Sequence, residues 1–225
     1  MSKKLFVGFT GVKESGKTTA FEAIKKKYPQ VEEVMLAKKL KDTCAEVLGI
    51  PRNYFDDQAF KEVLLDNPVY LSEDLVKGLY ESYDLTVDYE QFVRPHIGKL
   101  LHTPREAAQY VGTEVLRAVD PDIHCNAAIK FVPDAPVYIV TDMRFWNEFD
   151  FFNGNSEIEF SSFYIQNNKA EAKLGPNPHA SEKFVLEIGK KCEYKIANDG
   201  TNLSPFESLV VASFDQAAIN RGFKL

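Results

Sequence analysis

Strand-like and helix-like segments alternate along most of the chain. Strand candidates, recognised by their buried apolar, β-branched and aromatic residues, lie at 3–9, 31–36, 136–141, 160–166 and 192–197. The segments between them are predicted to be mainly helical. Such alternation is typical of an α/β protein whose parallel sheet is covered by helices on both faces. We therefore predict a doubly wound, mostly parallel five-stranded sheet flanked by helices.

The pattern changes between residues 49 and 102. Apolar residues there recur at helical spacing in 60–65 and 71–79, and no long strand is indicated. We interpret 49–102 as a helical insertion, so that the core comprises 1–48 and 103–225. A polar segment at about 167–178 contains glycine and proline, and it is predicted to be a mobile lid that extends, with the following helix start, to about 182.

Composition narrows the possible functions. The chain has 225 residues, 44% of them hydrophobic, which supports a folded core. Its net charge of −6 is unfavourable for binding DNA or RNA along a surface, although a small basic pocket for a nucleotide remains compatible. The cysteines and histidines show no disulfide or metal-ligand spacing. With no secretory segment and no apolar run long enough for a bilayer, we predict a cytoplasmic protein (host cytoplasm if viral) without nucleic-acid or membrane partners; a homodimer remains open.

The strongest motif is a complete G-x-x-x-x-G-K-[ST] sequence from Gly11 to Thr18. It follows the first predicted strand and precedes a predicted helix, which is the context in which the motif binds phosphate. Lys17 supplies a positive charge, Thr18 can reach Mg²⁺, and the helix N-terminus favours an anion. The predicted ATP phosphate-binding residues are Gly11, Lys13, Glu14, Ser15, Gly16, Lys17, Thr18 and Thr19.

A second candidate site is the helix that begins after Thr103. Thr103 and Glu106 form a capping box, and Pro104 suits the first helical position. With α-helical spacing, one side of this helix carries Arg105, Gln109, Gly112 and Thr113. This side is either a shelf for a phosphate and a base edge or an ordinary solvated face with an incidental glycine, and the pattern alone does not separate the two.

A third candidate is the end of the strand at 136–141, where Asp142 and Arg144 follow an apolar run. Ligands of open α/β sheets bind outside the carboxyl ends of strands. Asp142 is therefore predicted to hold Mg²⁺ through water, and Arg144 to face the transferred phosphate. The alternative is a turn with a surface ion pair. Trp146, the only tryptophan, is explained equally well by core packing and by base stacking.

The charges also bear on the acceptor. A phosphate monoester is already largely dianionic at neutral pH and needs no general base, but it needs cations to overcome the repulsion between two polyanions. The predicted sites supply Lys17, Arg105, Arg117 and Arg144, and no aspartate or histidine stands out as a base for an alcohol. This favours a nucleoside monophosphate as the acceptor.

Several blocks, in this order, resemble the bacteriophage deoxynucleoside monophosphate kinases. They are the loop Gly11 to Thr18 and the segments 36–41, 103–117, 141–148, 179–182 and 196–201. The resemblance spans nearly the whole chain. It implies a P-loop kinase fold with a helical monophosphate-binding insertion and a lid, and transfer of a phosphoryl group from ATP to a dNMP with Mg²⁺, giving ADP and a dNDP.

The resemblance and the motifs together assign roles to residues. Lys17, Arg144 and Asp142 are predicted to be catalytic, with Thr18 on Mg²⁺ and Asp142 on the metal through water. The predicted acceptor-binding residues are Lys41, Arg105, Gln109, Gly112, Thr113, Arg117 and Trp146. The predicted lid residues are Lys169, Lys173, His179, Ser181 and Glu182, although solvation or capping would explain each of the first four singly.

One stretch departs from the family pattern. Similar proteins tend to carry arginine in the strand and loop before the His-Ala-Ser-Glu block. Residues 164–169 here contain one lysine and no arginine. Lysine is a point charge and not a bidentate fork. Three explanations stay open: Lys169 or Lys173 substitutes for the arginine, the lid contributes less to catalysis, or this chain has lost the activity.

Two other functions remain open at this stage. One is a P-loop kinase for another small acceptor, such as dephospho-coenzyme A or a metabolite hydroxyl. The other is a non-catalytic nucleotide-binding protein, which would be expected to carry a base-reading N-K-x-D motif that the chain lacks.

Overall fold

The computed structural model describes residues 3–175 and 180–225. The chain divides into two compact units, one formed by Met1–Met35 and Val132–Leu225 and the other by Leu36–Phe131. The second unit contains the whole insertion predicted at 49–102 and also the helices that flank it in sequence.

The elements are numbered in chain order over the described residues. The strands are β1 (Lys4–Thr10), β2 (Glu32–Val34), β3 (Val69–Tyr70), β4 (Leu100–Leu101), β5 (Val137–Val140), β6 (Ile158–Gln166) and β7 (Tyr194–Ala197). The α-helices are α1 (Lys17–Lys27), α2 (Lys38–Leu48), α3 (Gln58–Lys61), α4 (Glu73–Ser82), α5 (Tyr89–Val93), α6 (Pro104–Gln109), α7 (Ile123–Lys130), α8 (Trp146–Gly154), α9 (Asn168–Ala172), α10 (Ala180–Lys191) and α11 (Leu203–Asn220). Short 3₁₀ turns cover Arg52–Phe55 and Arg94–His96, and a π-helix covers Tyr110–Arg117.

The first unit is built on one five-stranded sheet. Its strand order is β2-β5-β1-β6-β7, and every neighbouring pair is parallel. The predicted parallel sheet flanked by helices is confirmed. The strands themselves differ from prediction mainly at their ends, since β2 covers only Glu32–Val34 of the predicted 31–36.

The central strand β1 is covered on both faces, as expected for a parallel strand made of consecutive apolar residues. On one face Leu5, Val7 and Phe9 pack in a buried cluster with side chains of α1 and α11. On the other face Phe6 stacks on Tyr138 with ring centroids 4.7 Å apart. This double burial is typical of a strand in the middle of a sheet. The glycine-rich loop follows directly after the carboxyl end of β1.

The second unit is mainly helical and has its own core. Side chains from α2, α4, α6, the π-helix and α7 form one buried cluster, which includes Leu40, Leu79, Val111 and Ile123. Its strands β3 and β4 form only a two-residue antiparallel ladder. The expectation of a helical segment without a long strand agrees with this arrangement.

The helix that begins after Thr103 does not continue as an α-helix. Thr103 caps it as predicted, since its Oγ1 accepts from the Glu106 backbone N–H at 3.0 Å. Helix α6 ends at Gln109, and the π-helix follows. A π-helix bonds residues five apart, so α-helical spacing no longer decides which side chains share a face. The prediction that Gly112 lies on one exposed side with Arg105 and Gln109 is therefore wrong: Gly112 is buried, whereas the other two are exposed.

The segment predicted to be a mobile lid is ordered at its start. Residues Asn168–Ala172 form α9, whose N-terminus is capped by the Asn167 side chain, and Ala170 is buried. Residues 176–179 lie outside the described part of the chain. Among the described helices, none is both long enough and apolar enough to cross a membrane.

Gly189 should be needed for the packing of α10 on β6. A Cβ at this position would lie 2.5 Å from Cδ2 of Tyr164. That ring cannot move away easily, because its hydroxyl donates to Glu171 Oε1 at 2.5 Å. We predict that Gly189→Ala lowers the free energy of unfolding by about 1–3 kcal/mol in urea titrations, despite the better helix propensity of alanine.

Gly154→Ala is the matched control for this prediction. Gly154 also lies in a helix, and a Cβ added there would have no described atom within 4 Å. This variant should be as stable as the parent or more stable. Equal stability of Gly189→Ala and the parent protein would contradict the packing argument.

Candidate phosphate-binding site

The loop between β1 and α1 has the backbone geometry of an anion cradle. Glu14 has φ +65° and Gly16 has φ +105°, both in the left-handed region. Alternation of left- and right-handed residues turns successive N–H groups toward one point and creates a concave anion site. A non-glycine residue in this region, as Glu14 is, is uncommon, and strained backbone of this kind clusters at functional sites.

Two glycines of the motif are required by close approaches. A Cβ on Gly11 would lie 2.6 Å from the backbone oxygen of Ile165. A Cβ on Gly16 would lie 2.4 Å from Nδ2 of Asn198, the same nitrogen that donates to the Ser15 carbonyl at 2.8 Å. The neighbouring strand β6 and the residue after β7 therefore hold the loop in shape from outside.

The Lys17 side chain curls back over the loop. Its Nζ donates to the carbonyl oxygens of Gly11 at 2.6 Å and Val12 at 2.9 Å. Burial, together with the charge of Arg144, lowers the Lys17 pKa to about 8, while Glu182 and Asp142 oppose the shift. The ammonium group is thus held at the cradle by neutral carbonyls, and an incoming phosphate would be a stronger partner.

The segment after β5 brings Asp142 and Arg144 to the same place. Both groups act electrostatically on the Lys17 amine, since Arg144 lowers its pKa and Asp142 raises it. The loop that carries them is fixed by Glu148, a buried carboxylate whose Oε2 accepts from the backbone N–H groups of Arg144 at 2.7 Å and Phe145 at 3.0 Å. The three predicted catalytic residues are therefore neighbours in the first unit.

The start of α10 adds a carboxylate to this group. Glu182 Oε1 accepts from Arg144 Nη1 at 3.5 Å, and its Oε2 accepts from the Lys13 backbone N–H at 3.4 Å. Only 14% of the Glu182 side chain is exposed. A negative charge in the first turn of a helix is stabilised by the helix dipole.

The other predicted lid residues differ in their surroundings. Lys173 Nζ pairs with Glu14 at 3.0 Å, so the segment after α9 contacts the phosphate loop. Lys169 is exposed on α9. Only the backbone of Ser181 is described, in the first turn of α10, and His179 lies outside the described residues.

The residues present fit a Mg²⁺ ion that arrives with a triphosphate. Among residues 3–175 and 180–225, no group of three or more His, Cys, Asp or Glu side chains could hold a metal by itself. Mg²⁺ in nucleotide sites usually needs only one or two protein oxygens, the rest coming from phosphates and water. Thr18 is exposed at the first turn of α1, Thr19 is half-buried beside it, and Asp142 is half-buried.

The second unit holds all but one of the predicted acceptor-binding residues. Lys41 Nζ pairs with Asp56 at 2.9 Å, and Arg105 pairs with Glu62. Gln109 and Thr113 are exposed, and Arg117 is half-buried. Their acceptor role stays a prediction.

Gly112 has a structural explanation within the second unit. It is buried, and a Cβ there would lie 2.7 Å from Cδ2 of Leu40. A side chain at this position would therefore force the Leu40 side chain to shift within the buried cluster of this unit. The Leu40 side chain makes a close approach to Gly112 of the kind that the sequence indicated.

Trp146 belongs to the first unit. It stands at the start of α8, where its indole Nε1–H donates to Glu187 Oε2 at 3.4 Å and its ring meets Phe149 edge-to-face. Through these contacts Trp146 helps to pack α8 against α10.

Sequence reasoning missed two residues that shape the site, Asn198 and Glu148. Asn198 binds the loop carbonyl of Ser15, and Glu148 anchors the loop of Arg144. A signal existed for each of them. Asn198 directly follows the last strand of the sheet, and Glu148 stands at the third position of α8, from which a glutamate can accept from the N-cap backbone N–H.

Comparison with known proteins adds little beyond the fold. No family model matches the chain, and no curated protein matches it in sequence. It is similar to the crystal structure of TT1252 from Thermus thermophilus, with 14% identity, a TM-score of 0.46, and coverage of 96% of this chain and 98% of that one. It is also similar to a dephospho-CoA kinase from Campylobacter jejuni, with 14% identity, a TM-score of 0.48, and coverage of 98% and 99%. Both similarities are too distant to indicate an activity.

The buried His124 beside the π-helix should make stability depend on pH. Its Nε2 lies 3.2 Å from the Gly112 carbonyl oxygen. Burial and the nearby Arg117 lower the His124 pKa from 6.5 to about 4, although Gly112 and Asp120 favour the charged form. Between these two pKa values the unfolded chain therefore binds a proton that the folded one excludes. The contribution of His124 to the free energy of unfolding is fully present above pH 6.5 and is lost as the pH drops toward 4.

We predict that this residue accounts for a loss of about 3 kcal/mol of unfolding free energy over that interval. Urea unfolding of the parent protein, His124→Gln and the exposed-residue control His102→Gln at each pH measures it. The control should lose as much stability as the parent, and His124→Gln clearly less. An identical pH dependence in all three proteins would contradict a neutral buried His124.

Proposed function

We propose that the protein is an ATP-dependent kinase that transfers the γ-phosphoryl group of ATP to a deoxynucleoside monophosphate. The observation that carries the proposal is the cradle itself, in which Lys17, Asp142 and Arg144 lie together at the carboxyl end of β1 and β5. A glycine-rich loop that opens a helix beside an acid and an arginine is the arrangement that phosphoryl transfer requires.

The donor would be bound by backbone and side-chain groups of the first unit. N–H groups of the loop from Gly11 to Thr18 would surround the β-phosphate, and Lys17 would leave the Gly11 and Val12 carbonyls for the more negative phosphate oxygens. Because the site is partly buried, each such interaction is stronger than it would be in water. Bound ATP would also raise the Lys17 pKa and keep the amine charged.

Mg²⁺ would be held by the triphosphate, the Thr18 hydroxyl and, through water, Asp142. The metal supplies charge neutralisation between the β- and γ-phosphates. Arg144 would meet the charge that develops on the transferred group, since its backbone is fixed by Glu148 and its guanidinium lies near Lys17. Prepositioned charges of this kind need no reorganisation during the reaction.

The acceptor assignment rests on chemistry and on the family resemblance. A monophosphate is already nucleophilic and needs cations and orientation, which Arg105, Arg117 and Lys41 would supply. The second unit folds around its own core, which supports its assignment as a substrate-binding insertion. Gln109 and Thr113 expose polar groups suited to a sugar or base edge.

One observation favours a second candidate, a kinase for another small acceptor such as dephospho-coenzyme A. Two of the predicted acceptor cations, Lys41 and Arg105, already pair with Asp56 and Glu62. If these pairs persist with substrate, less positive charge remains for an acceptor phosphate, and a hydroxyl acceptor becomes more suitable. The two candidates share the donor site and differ only in the acceptor.

Acceptor-dependent ADP release tests the proposal. With ATP and Mg²⁺, we expect release to rise at least about ten-fold over the acceptor-free rate with one or more of dGMP, dTMP, dCMP and dAMP. Ribonucleotides and dephospho-coenzyme A form the comparison arms. Activity with dephospho-coenzyme A alone would make that molecule the acceptor instead of a dNMP. No acceptor-dependent release by a protein that binds ATP would contradict a kinase for any of these acceptors.

Lys17→Ala should lower turnover by about two to three orders of magnitude, because one preorganised charge at the transferred phosphate is lost. Lys26→Ala is the matched control, since Lys26 lies in the same helix but is exposed at its far end. It should retain parent activity in the same ADP-release assay. A near-parent rate for Lys17→Ala would remove Lys17 from the catalytic site.

A further inference from the structure

Glu182 makes contacts that a phosphate group is expected to make. One of its oxygens accepts from the backbone N–H of Lys13, a residue of the phosphate loop, and the other from the guanidinium of Arg144. Both donors are among those assigned above to the donor triphosphate. A carboxylate and a phosphate oxygen cannot occupy the same donors at once.

The charges at the cradle explain why an anion is needed there without nucleotide. Arg144 and Lys17 lie close enough for the arginine charge to disfavour the charged form of the lysine, and Glu182 is the largest opposing influence. Two neighbouring, partly buried cations destabilise the folded protein unless a negative group compensates them. Glu182 supplies that compensation, together with Asp142.

The contacts of Glu182 are also long. At 3.4 and 3.5 Å they lie at the outer limit for hydrogen bonds, whereas charge-assisted bonds are usually about 2.7–2.9 Å. The side chain stands at the first turn of α10, and rotation about its own bonds moves the carboxylate without moving the helix backbone. The group is therefore positioned at the cradle but bound weakly enough to leave.

We propose that Glu182 is an internal anion that occupies the phosphate cradle in the nucleotide-free protein and that the donor triphosphate must displace it. Its displacement releases Arg144, so the arginine becomes available to the transferred group only once a donor is bound. This inference rests on the proposed function only in its first part, namely that the loop binds a phosphorylated donor. It does not depend on which acceptor is used.

Direct binding measures the competition without any acceptor. ATP with Mg²⁺, and separately inorganic pyrophosphate, are titrated calorimetrically into the parent protein and into Glu182→Gln at about pH 7, where most of the Lys17 amine is protonated. We expect Glu182→Gln to bind both about five-fold more tightly, which corresponds to about 1 kcal/mol. Glu182→Ala, which also lacks the acceptor for the Lys13 N–H, should gain at least as much.

Glu187→Gln is the matched control, because it removes the same charge from the same helix at a residue that contacts Trp146 instead of the loop. It should bind both ligands as the parent does. Equal or weaker binding by Glu182→Gln and Glu182→Ala, or an equal gain in the control, would overturn the proposal. Thermal unfolding of each variant confirms that it is folded.

The outcomes also separate this inference from the proposed kinase activity. Tighter binding by the Glu182 variants without any transfer to an acceptor would support the internal anion and contradict the kinase. Transfer to an acceptor by the parent protein, with unchanged or weakened ATP binding by the Glu182 variants, would support the kinase and contradict the internal anion. Absence of ATP and pyrophosphate binding in every variant would contradict both.

Discussion

The site depends on how a partly buried ammonium group is accommodated at the end of the central strand. Lys17 is pulled into the loop by the Gly11 and Val12 carbonyls, yet burial and Arg144 still lower its pKa to about 8. Because the charged form of this amine is disfavoured in the absence of an anion, binding of an anion is favoured. The glycines, the positive φ of Glu14 and the support from Asn198 all serve to hold this charge and the loop N–H groups around one point.

The fold makes this arrangement possible by burying β1 on both faces. Leu5, Val7 and Phe9 anchor one face and Phe6 the other, so the strand before the loop is held by close packing on both sides. The strand on each side then contributes one support: β6 presents the Ile165 carbonyl against Gly11, and β5 leads into the loop that Glu148 fixes. The packing that stabilises the sheet therefore also positions the loops of the site.

Much of this could be predicted from sequence because it is local. The phosphate loop, the strand that precedes it and the Thr103 cap follow from residues adjacent in the chain, and the parallel sheet follows from the alternation of elements. Strand ends were less predictable, as the short β2 shows, because pairing with β5 decides them. Asn198 and Glu148 were missed because their roles arise only when distant segments meet.

The helix after Thr103 shows a different limit. Its start is set locally by Thr103 and Glu106, but further along Gly112 lies close to Leu40 and His124, which belong to other segments of the chain. Those contacts accompany a π-helical turn, which no periodicity in the sequence indicates. The ion pairs of Lys41 and Arg105 were unpredictable for the same reason, since Asp56 and Glu62 are distant from them in sequence. The roles of the acceptor residues therefore depend on long-range contacts, whereas the donor loop is specified by adjacent residues.

The central claim is that the loop from Gly11 to Thr18 is a cradle for a nucleotide triphosphate. Backbone amide resonances measured by NMR while ATP and Mg²⁺ are added test this claim most directly. The account predicts that the amides of Lys13, Gly16 and Lys17 shift the most and that their shifts saturate together with one bound nucleotide. Binding of ATP that leaves these amides unshifted while resonances elsewhere move would contradict it.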